Sequence, residues 1–298
     1  MLGSQLLDRQ PFFRGADFGI PEVAAFSVCH FRRAVMTSDS WEEHEGTEIL
    51  FMLSGEACWE FDGGQIAQVK GGQAIAFAPR SQHRVLNGLY TPSRSIWIVF
   101  GYGRSPSSQN LLPQSELKML LDTADQTRTP QDLDNSTMRA LNELAQKLGD
   151  DRIFLGSPVM KAEVRSRLYL ALTGFWAQSG RRQTAPASAA VRMLASNLRR
   201  DFANNRPIQD FAKGVSYGHS QLYVLFKREF GMSPNDYRHR LRIKACCELL
   251  ASSDCSITEV AINLGYCSSQ YFCQVFRKYV GTTPTEFRKM ATSLCAAE

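Results

Sequence analysis

The chain has 298 residues, 44% of them apolar, with 34 Lys and Arg against 29 Asp and Glu. That is enough for two domains of ordinary size with real cores. No apolar run approaches the eighteen residues of a membrane span, the opening MLGSQLLDRQPFFRG has no basic stretch leading into an apolar one, and the eight cysteines form no CxxC pair, so a cytoplasmic protein with reduced thiols and no membrane contact is expected.

Taken in chain order, residues 1–112 have the pattern of β structure. Glu48–Leu53 (EILFML) and Ala57–Phe61 (ACWEF) are predicted strands, and Asp62-Gly63-Gly64 is a hairpin turn because its glycines tolerate positive φ. Gln65–Val69, Ala74–Phe77 and Ser95–Phe100 continue the set, which points to a barrel or sandwich. Over residues 113–180 the period changes, and Glu116–Asp125, Asp132–Leu148 and Pro158–Gln178 are predicted helices. The last carries Val164, Leu168, Leu172, Phe175 and Trp176 on one stripe. Residues 181–187, within GRRQTAPA, have linker composition. Residues 188–290 are helical again. From Ser188 onward there are 15 basic and 9 acidic residues, so the excess positive charge sits in this last third. A basic module on a near-neutral body suits a polyanion.

That module says the same thing twice. Ile208, Phe211, Ala212 and Val215 recur at i, i+3, i+4, i+7, and so do Ile257, Val260, Ala261 and Leu264. Ser256 with Glu259 makes a capping box, and Pro207 suits a helix opening. A turn follows each, at Ser216–Gly218 and Gly265–Cys267, and then a second helix. The buried stripes of those second helices are Leu222, Leu225 and Phe226 in one copy and Phe272, Val275, Phe276 and Tyr279 in the other. Gly231-x-x-Pro234 and Gly281-x-x-Pro284 stop them.

Helix, tight turn, helix is the unit that lays its second helix in a major groove. The residues off the buried stripe then face double-stranded DNA: His219, Ser220, Tyr223, Val224 and Lys227 in the first copy, and Ser269, Gln270, Cys273, Gln274, Arg277 and Lys278 in the second. Gln bonds adenine bidentately, short polar groups reach base edges, and the cations suit phosphates. Between the copies Arg238–Leu250 is one helix, apolar at Leu241, Ala245, Leu249 and Leu250. Shared by both units, it would place two recognition helices in successive grooves about 34 Å apart.

Ala212, Leu222, Phe226, Gly231, Pro234 and Tyr237, then Ile257, Ala261, Gly265, Tyr266, Ser268, Tyr271, Phe272, Phe276, Lys278, Gly281, Pro284, Phe287 and Arg288, resemble the DNA-binding domain of the AraC/XylS family of transcription regulators. Ser216 departs from the glycine the family often has there. The resemblance implies a seven-helix domain and an activator that contacts RNA polymerase. In the N-terminal part, His44-x-x-x-Glu48, Gly55, Gly72, Pro79, His83 and Asn87 resemble the two motifs of a cupin barrel, with Glu42 where the first histidine of a metal-binding cupin would stand. No metal and no cofactor is expected. A small effector, a sugar or sugar acid, is expected in the barrel, with Arg32, Trp41, His44, Glu48, Trp59, Arg80, His83 and Trp97 as candidates for its contacts. Pro158–Gln178 corresponds to the family's dimerisation helix, so a homodimer is expected.

The fold class expected is therefore α+β: a cupin-like β-barrel over 1–112, a helical dimerisation segment over 113–180, and an all-α domain with two helix-turn-helix units over 188–290. The function expected is a ligand-responsive transcription regulator, not an enzyme. The alternatives are a metal-dependent cupin enzyme fused to a DNA-binding domain, in which His44, Glu48 and His83 would hold the ion, and a regulator controlled by a protein partner or by the thiol of Cys273.

Overall fold

A computed structural model describes residues 11–37, 40–100, 113–125, 129–149, 157–179, 188–213 and 217–295. The linker, Val215 and Ser216 lie outside them. The β-rich half contains ten described strands: β1 (Phe12–Phe13), β2 (Val23–Phe31), β3 (Val35–Met36), β4 (Glu48–Phe61), β5 (Ile66–Lys70), β6 (Gln73–Phe77), β7 (His83–Val85), β8 (Leu89–Tyr90), β9 (Ser93–Phe100) and β10 (Gln131–Asp132). All pairs are antiparallel, in the order β1-β2-β9-β4-β6-β10, with β5 and β7 also on β4 and β3 paired with β8.

β4 organises this half. The sequence suggests two strands broken at Ser54-Gly55-Glu56, but the structure makes one strand of 14 residues. Its pairing with β9 slips between Met52 and Ser54, and Gly55 takes φ of 76°. A bulge inserts one residue and so swaps the side-chain parity. Before it, Ile49, Phe51 and Leu53 face one core and Leu50 and Met52 the other; after it, Ala57, Trp59 and Phe61 join Leu50 and Met52. The edge strands β1 and β10 are two residues each and do not pair, so the strand path is open among the described residues where closure into a barrel was expected.

Three helices cover the sheet: α1 (Gln114–Asp125), α2 (Asn135–Leu148) and α3 (Pro158–Ser179). The second starts later than its periodicity suggests, because Asp132 pairs with Gln73 in the sheet and the Asp134 carboxylate caps the helix, accepting from the Thr137 N–H at 2.7 Å. The stripe Val164, Leu168, Leu172 and Phe175 on α3 is at most 1% exposed and packs against α2 and the sheet. Pairing of that stripe with a second chain, the sequence expectation, is thereby corrected. The stripe is spent on the fold's own core, where each such side chain contributes about 1.5–3 kcal/mol.

Seven described helices make up the rest: α4 (Ala189–Arg200), α5 (Ile208–Phe211), α6 (His219–Phe230), α7 (Pro234–Ser252), α8 (Ile257–Asn263), α9 (Ser269–Val280) and α10 (Pro284–Cys295). They form two separate apolar cores, one around Leu198, Phe211, Phe226 and Tyr237, the other around Ile243, Val260, Phe272 and Phe276, with α7 running through both. The architecture is a mixed α+β chain with a β-rich N-terminal part and an all-α C-terminal part. None of its described helices is long and apolar enough to cross a membrane.

Candidate nucleic-acid interface

Each helix-turn-helix unit is set by local chemistry. The predicted capping box opens α8: the Ser256 hydroxyl accepts from the Glu259 N–H at 3.1 Å, and the Glu259 carboxylate accepts from the Ser256 N–H at 2.7 Å. Pro207 stands one position before α5, as its cap, rather than inside it. The Ser268 hydroxyl caps α9, accepting from the Tyr271 N–H at 3.2 Å. Both second helices end on a left-handed residue, Gly231 at φ 71° and Gly281 at φ 79°. In the second turn Gly265 has φ 75°, and a Cβ there would lie 2.0 Å from the Ala203 carbonyl oxygen. Only glycine fits that close approach.

The predicted buried stripes are in place, with Leu222, Phe226, Phe272, Val275, Phe276 and Tyr279 all buried and Leu225 half-buried. The other faces of α6 and α9 therefore point away from the cores. On α6, His219 is the first residue, Ser220 and Lys227 are exposed, Val224 is 66% exposed, and Tyr223 is half-buried with the Asn235 amide donating to its Oη at 3.1 Å. On α9, Gln270, Gln274, Arg277 and Lys278 are exposed while Ser269 and Cys273 are half-buried. The Lys278 ammonium sits 5.2 Å from the Tyr279 ring. An apolar Val224 and a Tyr271 44% open to solvent serve no core, and both lie on helices whose polar neighbours suit base edges. Tyr271 was not among the contacts expected from sequence; its exposure is what adds it to this face.

The helix between the units holds what the sequence concealed. Its apolar stripe was expected at Leu241, Ala245, Leu249 and Leu250; Leu241 and Leu250 are buried, Ala245 and Leu249 only partly, and Ile243, Cys246 and Cys247 are buried beside them. Two arginines are buried there too. Arg242 donates to four backbone carbonyls: Phe202 at 2.8 Å, Asn204 at 2.9 Å and Ala203 at 3.4 Å in the first unit, and Gly265 at 2.9 Å in the second. It ties the two units to one helix. Arg240 pairs with Glu56 of the β-rich half. The signal was the charge itself, three arginines (Arg238, Arg240 and Arg242) in the run RHRLRIKACC where a core helix would carry none.

A second cluster lies in the β-rich half. Glu48 accepts from His44 Nε2 at 3.0 Å, and Glu42 and His83 exchange backbone hydrogen bonds at 2.8 and 2.9 Å. His83 Nδ1 donates to the Ser81 carbonyl at 2.9 Å, which fixes its tautomer, and the two imidazole rings are 5.2 Å apart. The hydrogen bond to Glu48 raises the His44 pKa, whereas burial lowers that of His83 and raises those of Glu42 and Tyr90. One donor atom each from Glu42, His44 and His83 lies within 4.8 Å of the others. Among the effector candidates, His44, Glu48 and His83 are therefore brought together. Trp59 and Trp97 belong to the adjoining apolar cluster, with Trp59 4% exposed. Trp41 is 41% exposed under the Arg84 guanidinium at 4.5 Å, Arg80 is exposed, and Arg32 sits at the junction with Gly281.

A family model described as a helix-turn-helix domain matches residues 211–290. The Msm operon regulatory protein of Streptococcus mutans is 23% identical over 209 residues, 67% of this chain and 69% of that protein. The thermoregulatory protein LcrF of Yersinia pestis is 24% identical over 265 residues, 84% of this chain and 93% of that one. Against other relatives the chain spans about a third of their length, 29% and 36% in two cases. The solved structure of ToxT from Vibrio cholerae covers 90% of this chain at 13% identity, with a TM-score of 0.32. The class is thus a DNA-binding transcription regulator with paired helix-turn-helix units. Its C-terminal residues 211–290 form the helix-turn-helix domain, and the full-length relatives it resembles are regulatory proteins.

Proposed function

We propose that this chain is a sequence-specific, ligand-responsive transcription activator that reads double-stranded DNA with α6 and α9. The observation that carries the reading is the pair of outward faces on two units tied to one helix. Ser220, Tyr223 and Val224, with Ser269, Gln270, Cys273 and Gln274, address base edges, while Lys227, Arg277 and Lys278 address phosphates. A homodimer in contact with RNA polymerase is the working form. The dimer would use α3's outer residues Val159, Tyr169 and Leu170, all exposed, since its inner stripe is occupied.

The regulating ligand is a small polar molecule held near His44, Glu48 and His83 in a cupin-like fold. The carboxylates of Glu42 and Glu48 disfavour an acid, so a neutral sugar fits better than a sugar acid. A second reading, favoured by the convergence of Glu42, His44 and His83, is a divalent cation on two imidazoles and a carboxylate. Elemental analysis of the purified chain showing no stoichiometric metal removes that reading.

The test of the DNA reading uses the full chain and a duplex recovered with it from a random-sequence pool. Gln274→Ala is expected to relax base preference. Arg277→Ala is expected to weaken binding on every sequence and to lower the salt slope by about 1. If both variants act equally on the selected and random duplexes, base reading by α9 is wrong.

A further inference from the structure

The stretch from His83 to Tyr90 belongs to three places at once. Its ends lie in the interior of the β-rich half. His83 is 4% exposed, beside His44, and Tyr90 is half-buried, its ring 6.2 Å from that of Trp59 and its hydroxyl in the field of Glu42 and Glu48. Its middle turns sharply, with Asn87 at φ 60° and Gly88 at φ 59° in succession. The Gly88 carbonyl accepts from the Thr37 N–H at 2.8 Å, and the Asn87 amide nitrogen is buried with no partner among the described residues.

On either side of that turn stand two leucines. Leu86, 3% exposed, packs into the core of the first helix-turn-helix unit with Leu222, Phe226 and Leu241. Leu89, 6% exposed, packs into the core of the second with Ile243, Phe272 and Phe276. The turn rests on α7, the helix that joins the units. Two residues only three positions apart thus complete two different cores.

We propose that His83–Tyr90 is the coupling element of this regulator: its ends register the state of the interior cluster, and its apolar tip, Leu86 and Leu89, sets how the two helix-turn-helix units stand relative to each other. The inference rests on the interior cluster being the ligand site and α6 and α9 the DNA readers. Close-packed cores do not stretch, so a shift of His83 or Tyr90 must be passed on as a shift of both leucines or absorbed as strain. The recognition faces stay exposed while the leucines are seated, so regulation acts on the spacing of the units rather than by covering them.

A double-mutant cycle on the full chain tests this. One arm is Tyr90→Phe, which removes an interior hydroxyl. The other is Leu86→Ala with Leu89→Ala. The probes are the pool-selected duplex carrying both sites and a shortened duplex carrying one. Tyr90→Phe is expected to change affinity for the two-site duplex on the order of fivefold, leave the one-site duplex unchanged, and lose its effect in the double-alanine background. Effects that simply multiply, or that fall equally on both duplexes, overturn the proposal. A second measurement needs no alanine variant. Amide exchange in Tyr90→Phe is expected to quicken along α7 and at the C-terminal ends of α6 and α9, and unchanged rates there also overturn it. If the unmodified chain retains no duplex from the pool, the DNA reading has failed, while the exchange arm still decides the coupling.

Discussion

At the residue scale, His239 carries a consequence for pH. It sits on α7 with its ring 6.0 Å from that of Tyr266 and nearly parallel to it, and its Nδ1 is buried without a partner among the described residues. Burial first, then the neighbouring charges of Arg242 and Arg238, lowers its pKa to about 4. An imidazole that resists protonation in the folded chain accepts a proton readily in the unfolded one. Its contribution to stability is therefore complete above about pH 6.5 and is lost as pH falls toward 4. Unscreened, that shift is worth about 3 kcal/mol; with the side chain partly open to solvent, about 2 kcal/mol is the expected loss. Denaturant unfolding at pH 7 and pH 4.5 should show this difference in the wild type and much less of it in His239→Phe, which keeps the ring and removes the titration. Equal acid sensitivity in the two proteins would show that His239 is not its source.

At the scale of elements, the sequence was legible where local rules decide. The second unit's capping box, the glycine helix stops and the buried stripes of α6 and α9 all stand where spacing puts them, because each is fixed within one or two helical turns. The β-rich half was less legible. Short strands such as β3, β8 and β10 have two residues each, too few for a period, and the unbroken run of β4 depends on partners far away in sequence. The interior cluster was half legible: His44, Glu48 and His83 were identified, but not the exposure of Arg80 and Trp41, since a strand's register decides which way a side chain points. Arg242 was invisible for another reason. Its four carbonyl acceptors come from a loop and a turn that only the tertiary fold brings together. Replacing it with Lys keeps the charge but cannot reproduce the planar fork, so most of those carbonyls lose their donor. Arg242→Lys is expected to cost about 3 kcal/mol in denaturant unfolding. A loss below about 1 kcal/mol would mean that water or rearrangement replaces the guanidinium.

For the whole molecule, the question is whether the two halves behave as one body. The helical half meets the β-rich half through ion pairs as well as through Leu86 and Leu89. Glu60 is 3% exposed and accepts from Arg84 at 2.8 and 3.0 Å within its own half and from Arg199 of α4 at 2.5 Å. Glu56 pairs with the buried Arg240 of α7, and the Ala34 N–H donates to the Val280 carbonyl at the end of α9 at 2.8 Å. A carboxylate between two guanidiniums is most costly to lose when the cations stay behind, because each keeps its desolvation cost without its partner. Glu60→Gln keeps the shape and removes the charge. The expected result is a loss of about 2–4 kcal/mol, borne by the junction rather than by either core. A scanning calorimetry trace should then separate into two transitions where the unmodified chain gives one. Replacing Arg199 with Met alongside Glu60→Gln removes one stranded cation and should recover part of the loss. A single transition in Glu60→Gln, moved by less than about 1 °C, would show that the ion pairs do not hold the halves together and that the apolar contacts alone do so.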